Sequence, residues 1–351
     1  MIKFDKIQQL LERESLDALL VMSAENRRYL SEFTGSSGAL IITKESRFLM
    51  SDFRYKAQGA EQAEEFEFIL QEKGLLESIV SFMNSKGLKR IGFEGEHVNY
   101  NTYSQLSKSF DVVPLTGEVE KIRLIKTDEE LDLIIKACEI ADQSYEYILT
   151  YVKAGMTELE VKNELEAHMT SLGASGPSFD TIVASGHRGA LPHGVASDKV
   201  IEDGDMVTLD FGAWYKGYAS DITRTFAVGS VSPEMEEIYN IVLESQLKSL
   251  DEIKAGMTGK EADSIARDVI SAKGHGEHFG HSLGHGLGLE VHELPGLSQK
   301  STMTLEPGMV ITIEPGIYVD GLGGVRIEDD AVVTEKGLKK LTHSSKKLFI
   351  V

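Results

Sequence analysis

Two spacings of apolar and polar positions alternate along the first third of the chain. Helical spacing predicts helices near residues 7–11, 55–65, 74–86 and 99–109, and short apolar runs predict strands near residues 17–22, 38–43, 47–52, 66–70 and 90–95. The second and third of these strands read as a hairpin. Residues 1–121 are therefore predicted to form a mixed α/β domain, and their titratable groups show no convergence typical of a catalytic centre.

A second region opens with Thr-Asp-Glu-Glu at 127–130, a capping box that precedes a long helix. Two short segments of the chain then recur in similar form about 100 residues later. The matching segments are residues 154–160 with 255–261 and residues 206–212 with 310–316. In the second match, Asp210 corresponds to Glu314. Because both echoes occur in the same order at nearly the same offset, they predict two similar α+β halves around a shared centre.

The segment 206–228 predicts a hairpin whose turn is Lys216-Gly217. With that turn, Asp210 faces Thr223 on the opposite strand. Side chains two residues apart share a face, so Asp210 and Asp221 are predicted to lie on the same face of the hairpin.

A second hairpin is predicted from strands 309–319 and 325–334 with residues 320–324 as the loop, which puts Glu314 and Glu328 on a common face. An exposed position is the ordinary fate of any one strand carboxylate. Two same-face pairs at matched places in a repeat favour a buried cluster instead. Such carboxylates cost several kcal/mol each to desolvate unless they are neutralised, and two bound dications would neutralise all four.

The segment 280–293 is rich in glycine and carries three histidines. His281 and His285 are spaced like a helical zinc pair, but the four glycines between 280 and 288 disfavour a helix. A phosphate loop would need a following Gly-Lys-Ser/Thr, which is absent. We therefore predict a loop that brings one imidazole to the carboxylate cluster.

Composition narrows the classes of partner. The formal net charge is −20, from 36 basic and 56 acidic residues, which disfavours nucleic acid and anionic membranes as partners. There is no apolar stretch of membrane-spanning length, and the first residues lack the apolar core of a signal peptide. The single cysteine, Cys138, lies in an apolar helical pattern and is predicted to be a buried thiol. The expected location is therefore the reducing cytoplasm.

These residues resemble the five-ligand signature of the pita-bread metallopeptidases, and among them the Xaa-Pro peptidases aminopeptidase P and prolidase. The motifs are Asp210 and Asp221 eleven apart, His285 in Gly-His-Gly, Glu314 in Ile-Glu-Pro-Gly and Glu328 in Arg-Ile-Glu-Asp. Residues 26–38 and 51–55 are similar to the N-terminal domain of that group. The resemblance implies an α+β fold, with a mixed α/β creatinase-like domain at 1–121 and a pseudo-symmetric pita-bread catalytic domain at 122–351.

The resemblance also implies a site that holds two divalent metal ions. Asp210 would bind one ion, His285 and Glu314 the other, and Asp221 and Glu328 would bridge them. Oxygen ligands with one nitrogen favour Mn²⁺, with Co²⁺ and Zn²⁺ as alternatives.

Further site residues follow from the same resemblance. Those expected to line the substrate pocket or support the ligands are His193, His292, His281, Tyr318 and Arg326. Without the resemblance, His193 would be an ordinary loop histidine. In the implied reaction, His292 helps to stabilise the oxyanion and Glu314 moves the proton.

The expected activity is hydrolysis of the bond between an N-terminal residue and proline, as in aminopeptidase P. Prolidase is the alternative, but prolidases tend to hold the free proline carboxylate with a basic residue where this chain has Leu294-Pro295-Gly296. Methionine aminopeptidase usually lacks a domain like 1–121, and creatinase lacks the full metal set. A non-catalytic peptide- or protein-binding module is a remote alternative. Proline-containing peptides are the expected partners, and a homodimer the expected assembly.

Overall fold

The computed structural model describes residues 2–351 and divides them into two compact units, one ending at Arg123 and the other running from Leu124 to Val351. Each unit mixes helices and strands. Among the residues described, no helix is long and apolar enough to span a membrane.

The N-terminal unit is built on one six-stranded sheet. Its helices are α1 (Ile2–Arg13), α2 (Ala24–Ser31), α3 (Lys56–Gln62), α4 (Leu75–Ser85), α5 (Tyr100–Leu106) and α6 (Glu120–Arg123). Its strands are β1 (Ala18–Val21), β2 (Ala39–Thr43), β3 (Arg47–Ser51), β4 (Glu67–Leu70), β5 (Arg90–Glu94) and β6 (Asp111–Leu115). Their order in the sheet is β4-β3-β2-β1-β5-β6, and β2 and β3 form the predicted antiparallel hairpin.

Helix α2, strand β6 and the short helix α6 of this unit were not predicted. Helix α2 has a polar sequence, but the Ser23 side chain caps its start and the buried Arg27 donates to the carbonyls of Gly35 and Gly38. Apolar spacing does not show such a helix. Strand β6 contains Pro114, which a strand at the edge of a sheet tolerates because one side of its backbone needs no partner.

The C-terminal unit carries two apolar cores, one against each pair of helices. The first pair is α7 (Asp128–Tyr151) with α8 (Glu158–Ser171), and the second is α9 (Pro233–Glu252) with α10 (Gly259–Ala272). The strands are β7 (Gly176–Pro177), β8 (Ile182–Ser185), β9 (Met206–Phe211), β10 (Ala213–Tyr215), β11 (Tyr218–Ala219), β12 (Ile222–Ala227), β13 (Gly284–Gly286), β14 (Glu293–Leu297), β15 (Val310–Ile313), β16 (Gly316–Val319), β17 (Gly323–Arg326), β18 (Asp329–Thr334) and β19 (Gly337–Lys340).

The predicted internal repeat is present in this unit. Helices α8 and α10 both begin with a complete capping box, formed by Thr157 with Glu160 and by Thr258 with Glu261. The sheet β12-β9-β8 serves the first half, and the sheet β14-β13-β15-β18-β19 serves the second. The predicted fold class is therefore confirmed.

The first hairpin has the predicted register, with Asp210 opposite Thr223 and the turn at Lys216-Gly217. The predicted register of the second hairpin was wrong. Gly316 pairs with Arg326 and Val319 pairs with Gly323, so the loop has three residues rather than five. Because the shift amounts to two residues, every side chain keeps its face, and the predicted pairing of Glu314 with Glu328 survives the error.

A buried arginine on β12, in the first half, binds residues of the second half and of the C-terminal segment. Arg224 has no exposed surface; its guanidinium binds Asp329 Oδ1 at 2.7 Å and the carbonyl of Ser344 at 2.8 Å. It also donates to the carbonyl of Glu328. A charge buried this deeply is tolerated because its donors are matched by acceptors.

Replacing this arginine should be strongly destabilising. Arg224→Met leaves Asp329 in an apolar environment with only Lys346, Gln246 and Thr342 as partners, so the free energy of unfolding should fall by about 3 kcal/mol. Urea unfolding measures the loss. The matched control is Lys136→Met, which breaks the exposed pair with Glu139 and should cost less than about 1 kcal/mol. Equal losses of unfolding free energy in Arg224→Met and Lys136→Met would contradict the stabilising role given to Arg224.

Candidate metal centre

The predicted ligands lie at strand ends of the C-terminal unit. Their places are Asp210 on β9, Asp221 between β11 and β12, His285 in β13, Glu314 after β15 and Glu328 between β17 and β18. Ligand atoms of Asp221, His285 and Glu328 all lie within 4.8 Å of one another. His285 Nε2 is also 3.4 Å from Glu314 Oε1. The two predicted acidic pairs and the imidazole are thus brought together.

His285 lies on a strand, which corrects the predicted loop. A Cβ atom at Gly284 would stand 2.0 Å from the carbonyl oxygen of Thr312, and one at Gly286 would stand 2.1 Å from that of Leu294. The glycines therefore allow β13 to approach its neighbours closely and place the imidazole among the carboxylates.

Burial dominates the electrostatics of the cluster. It raises the pKa of Asp221 and of Glu328 well above the usual range, and repulsion between the neighbouring carboxylates raises both pKa values further. Burial likewise raises the pKa of Glu314 to about 8, against the opposing influence of Arg326. Without a cation, the cluster holds protons at neutral pH.

The imidazole of His285 presents a lone pair to the carboxylates. Its Nδ1 lies 3.0 Å from the carbonyl oxygen of Gly286, which requires the proton on Nδ1 and leaves Nε2 free to bind a cation. Burial lowers the pKa of His285 to about 4, so the ring is neutral at physiological pH.

Two carboxylate oxygens in the cluster, Asp210 Oδ1 and Asp221 Oδ1, are buried and have no hydrogen-bond partner among the described residues. An unsatisfied buried polar atom costs about 1–3 kcal/mol, and a native structure avoids that cost unless something binds there. Four carboxylates and one imidazole are the donors that Mn²⁺, Co²⁺ and Zn²⁺ accept. The residues therefore fit a divalent metal site.

A hydrogen-bonded network surrounds the cluster, and it includes the three predicted supporting residues. Arg326 binds Asp210 Oδ2 at 2.5 Å and the hydroxyl of Tyr318 at 2.6 Å. The same hydroxyl lies 2.8 Å from His281 Nε2. Burial, and then the charge of Arg326, lowers the pKa of His281 to about 4.

Several residues that orient the cluster were not predicted from the sequence. Thr223 donates its hydroxyl to Glu328 Oε2 at 2.5 Å, and Asp330 accepts the backbone N–H of Asp221 at 2.9 Å. Asp330 also accepts a hydrogen bond from the thiol of Cys138, which is buried as predicted. Thr223 was detectable, because the predicted register already placed it opposite Asp210.

The two histidines expected in the pocket are more exposed than the cluster. The ring of His292 lies 4.3 Å from the ring of His285, centroid to centroid. His193 lies on an exposed turn, close enough for its charge to contribute to the low pKa of His281. Both occupy positions at which a substrate can reach them.

A second group of potential ligands occurs in the N-terminal unit, namely Glu94, His97 and Glu120. Both oxygens of Glu94 already accept hydrogen bonds from Ser23, whose side chain caps α2. This group therefore has a structural explanation.

Comparison with known proteins gives one consistent result. Residues 132–335 match metallopeptidase family M24, and residues 3–125 match the creatinase/prolidase N-terminal domain. The chain is similar to the Xaa-Pro dipeptidase of Pyrococcus horikoshii, at 44% identity over 99% of this chain and 98% of the relative.

Solved structures agree with these matches. A Xaa-Pro dipeptidase from Bacillus anthracis has a TM-score of 0.98 and 49% identity, covering 100% of this chain and 99% of that one. An X-Pro aminopeptidase from Thermotoga maritima has a TM-score of 0.91 and 41% identity, covering 97% and 99% of the two chains.

Binding of Mn²⁺ is expected to strengthen as the pH rises from about 6 to about 8, because carboxyls with raised pKa values must lose protons before they bind a cation. His285 does not oppose the trend, since it is already neutral. Calorimetric titration in two buffers of different ionisation enthalpy measures the protons released. The Glu314→Gln variant should release fewer protons when it binds Mn²⁺. A constant affinity across this range would contradict the account.

Proposed function

The chain belongs to metallopeptidase family M24, and from this premise we propose that it hydrolyses Xaa-Pro dipeptides. The observation that carries the proposal is the buried cluster of four carboxylates and one neutral imidazole. The names of the relatives at 49% and 44% identity favour the dipeptidase over the expected aminopeptidase P-like activity. We therefore rank the dipeptidase first and keep the aminopeptidase as the second candidate.

We propose that Asp210, Asp221, His285, Glu314 and Glu328 hold two divalent ions, with Mn²⁺ as the preferred metal. The two unpartnered oxygens of Asp210 and Asp221 support this assignment. Asp221 and Glu328 would bridge the ions, as the resemblance to this family implies, and their ligand atoms lie within 4.8 Å of each other and of His285. When bound, a pair of dications polarises the scissile carbonyl and lowers the pKa of water.

Side chains of the protein would carry out the remaining steps of the reaction. Glu314, which is also a proposed metal ligand, would take up a proton and pass it towards the leaving amine. His292, whose ring lies beside that of His285, would stabilise the developing oxyanion. Arg326 holds Asp210 in position through its 2.5 Å contact.

The substrate class has a physical reason. Proline has no backbone N–H and a fixed φ, so a protease that binds its substrate as an added β-strand handles an Xaa-Pro bond poorly. A pocket lined by side chains avoids that requirement. His193, His281, His292 and Tyr318 are the proposed lining residues, and their rings can pack against proline.

We also propose a homodimer and a reducing compartment. Phe53 and Tyr100, each 78% exposed, are large apolar side chains that the N-terminal unit leaves available to a partner. The buried, reduced thiol of Cys138 supports the compartment. Sedimentation of the full chain as a monomer would contradict the dimer.

Loss of a bridging ligand should abolish activity. Asp221→Ala is expected to reduce turnover of Xaa-Pro peptides at least about 1,000-fold, because it removes one proposed ligand of both metals. Steady-state hydrolysis of Ala-Pro with added Mn²⁺ measures the effect. The exposed Asp320→Ala is the control and should keep normal turnover. Near-normal turnover of Asp221→Ala would refute the bridging role.

Peptide length distinguishes the two candidates. A dipeptidase should cleave Ala-Pro far better than Ala-Pro-Ala, whereas an aminopeptidase should cleave the longer peptide at least as well. Gly296 allows a second test, since a Cβ added there meets no atom within 4 Å. Gly296→Arg should shift the preference towards dipeptides by offering a cation to the proline carboxylate. Preference for Ala-Pro-Ala in the wild type would overturn the ranking.

A further inference from the structure

Residues 279–283 lie between a 3₁₀ turn (Gly276–His278) and strand β13, and they form neither helix nor strand. This segment carries His281 and leads directly to His285. An irregular segment has no ladder of backbone hydrogen bonds to fix it, so its geometry must come from other contacts.

An ion pair on helix α10 supplies those contacts. Arg267 donates to the carbonyl of Phe279 at 2.9 Å and to the carbonyl of His281 at 2.8 Å. Asp263 accepts the N–H of Leu283 at 3.0 Å, an N–H that also donates to the carbonyl of Leu297. The pair thus binds the main chain on both sides of His281.

The pair is itself rigid. Arg267 Nε and Nη2 bind the two oxygens of Asp263 at 2.7 and 3.0 Å, and the Asp263 side chain has no exposed surface. The guanidinium also lies 4.3 Å from the ring centroid of Phe279. A bidentate pair closed by a cation–π contact fixes the positions of its remaining donors.

Hydrogen bonds connect this anchor to the metal centre. The carbonyl of Leu283 accepts a hydrogen bond at 2.8 Å from the backbone N–H of Glu314, and Glu314 is one of the proposed metal ligands. The imidazole of His281 reaches the hydroxyl of Tyr318, which Arg326 also binds.

We propose that Asp263 and Arg267 are positioning residues, which hold the backbone of the 279–283 segment so that His281 and Glu314 keep their reactive geometry. The inference rests on the proposed function for its link to catalysis. The anchoring itself is independent of that function and can be measured separately.

The internal repeat provides a matched control. Lys162 and Glu166 occupy the equivalent positions on α8, five and nine residues after the capping Thr157, with the charges reversed. Lys162 is 20% exposed and Arg267 is 18% exposed. Glu166 accepts a hydrogen bond from Thr181, and among the residues that the structure describes neither Lys162 nor Glu166 bonds to a segment that carries a site histidine.

The test compares Arg267→Met with Lys162→Met and with Arg267→Lys in the full chain. Arg267→Met should lower kcat for Ala-Pro by about 10- to 100-fold with a much smaller change in KM, because displacing reactive groups impairs the reaction more than binding. Lys162→Met should stay within about twofold of the wild type, and Arg267→Lys, which keeps one or two of the donors, should lie between. Hydrogen exchange in residues 279–285 and 310–316 should accelerate only in the Arg267 variants.

Two results would overturn the inference: a kcat of Arg267→Met close to that of the wild type, or equal losses in Arg267→Met and Lys162→Met. If Arg267→Met does not fold, Arg267→Lys decides by the same two readouts. A wild type that does not hydrolyse Xaa-Pro peptides refutes the proposed function instead. Hydrogen exchange then still decides whether the pair anchors the segment.

Discussion

The structure depends on burying four carboxylates in one place. Desolvation and mutual repulsion make such a cluster unfavourable by several kcal/mol, unless cations or protons neutralise it. Several local features of the C-terminal unit serve this arrangement. The two halves bring one acidic pair each, glycines let β13 deliver an imidazole, and Thr223 and Arg326 donate hydrogen bonds to Glu328 Oε2 and Asp210 Oδ2.

The pseudo-symmetry explains how one chain assembles such a centre. Each half supplies a capped helix and an antiparallel strand pair with a carboxylate at matched positions, and the centre lies where the two meet. The halves differ in what they add. The second half contributes the histidine strand and the anchoring pair on α10, whereas α8 carries a reversed pair at the matched position. The repeated elements bring the carboxylates together, and the elements found only in the second half add the histidine and the anchoring pair.

Much of this was predictable from the sequence, for identifiable reasons. The first hairpin has a two-residue turn, so its register followed from one assumption and was correct. The second has a glycine-rich loop whose length is ambiguous, and its register was wrong by two residues. The strand at His285 was missed because glycine needed for close packing looks the same in sequence as glycine in a loop. The hydrogen bonds of Arg267 to backbone carbonyls and of Asp263 to a backbone N–H leave no periodic signal, and only the folded chain reveals them.

The most direct test of the central claim is a count of metal ions bound by the purified chain. After dialysis against Mn²⁺ and removal of free metal, elemental analysis by mass spectrometry should find two ions per chain in the wild type. Glu328→Gln, which removes a proposed bridging carboxylate, should hold fewer than two. A wild type that holds no ion under these conditions, or a variant that still holds two, would contradict the account.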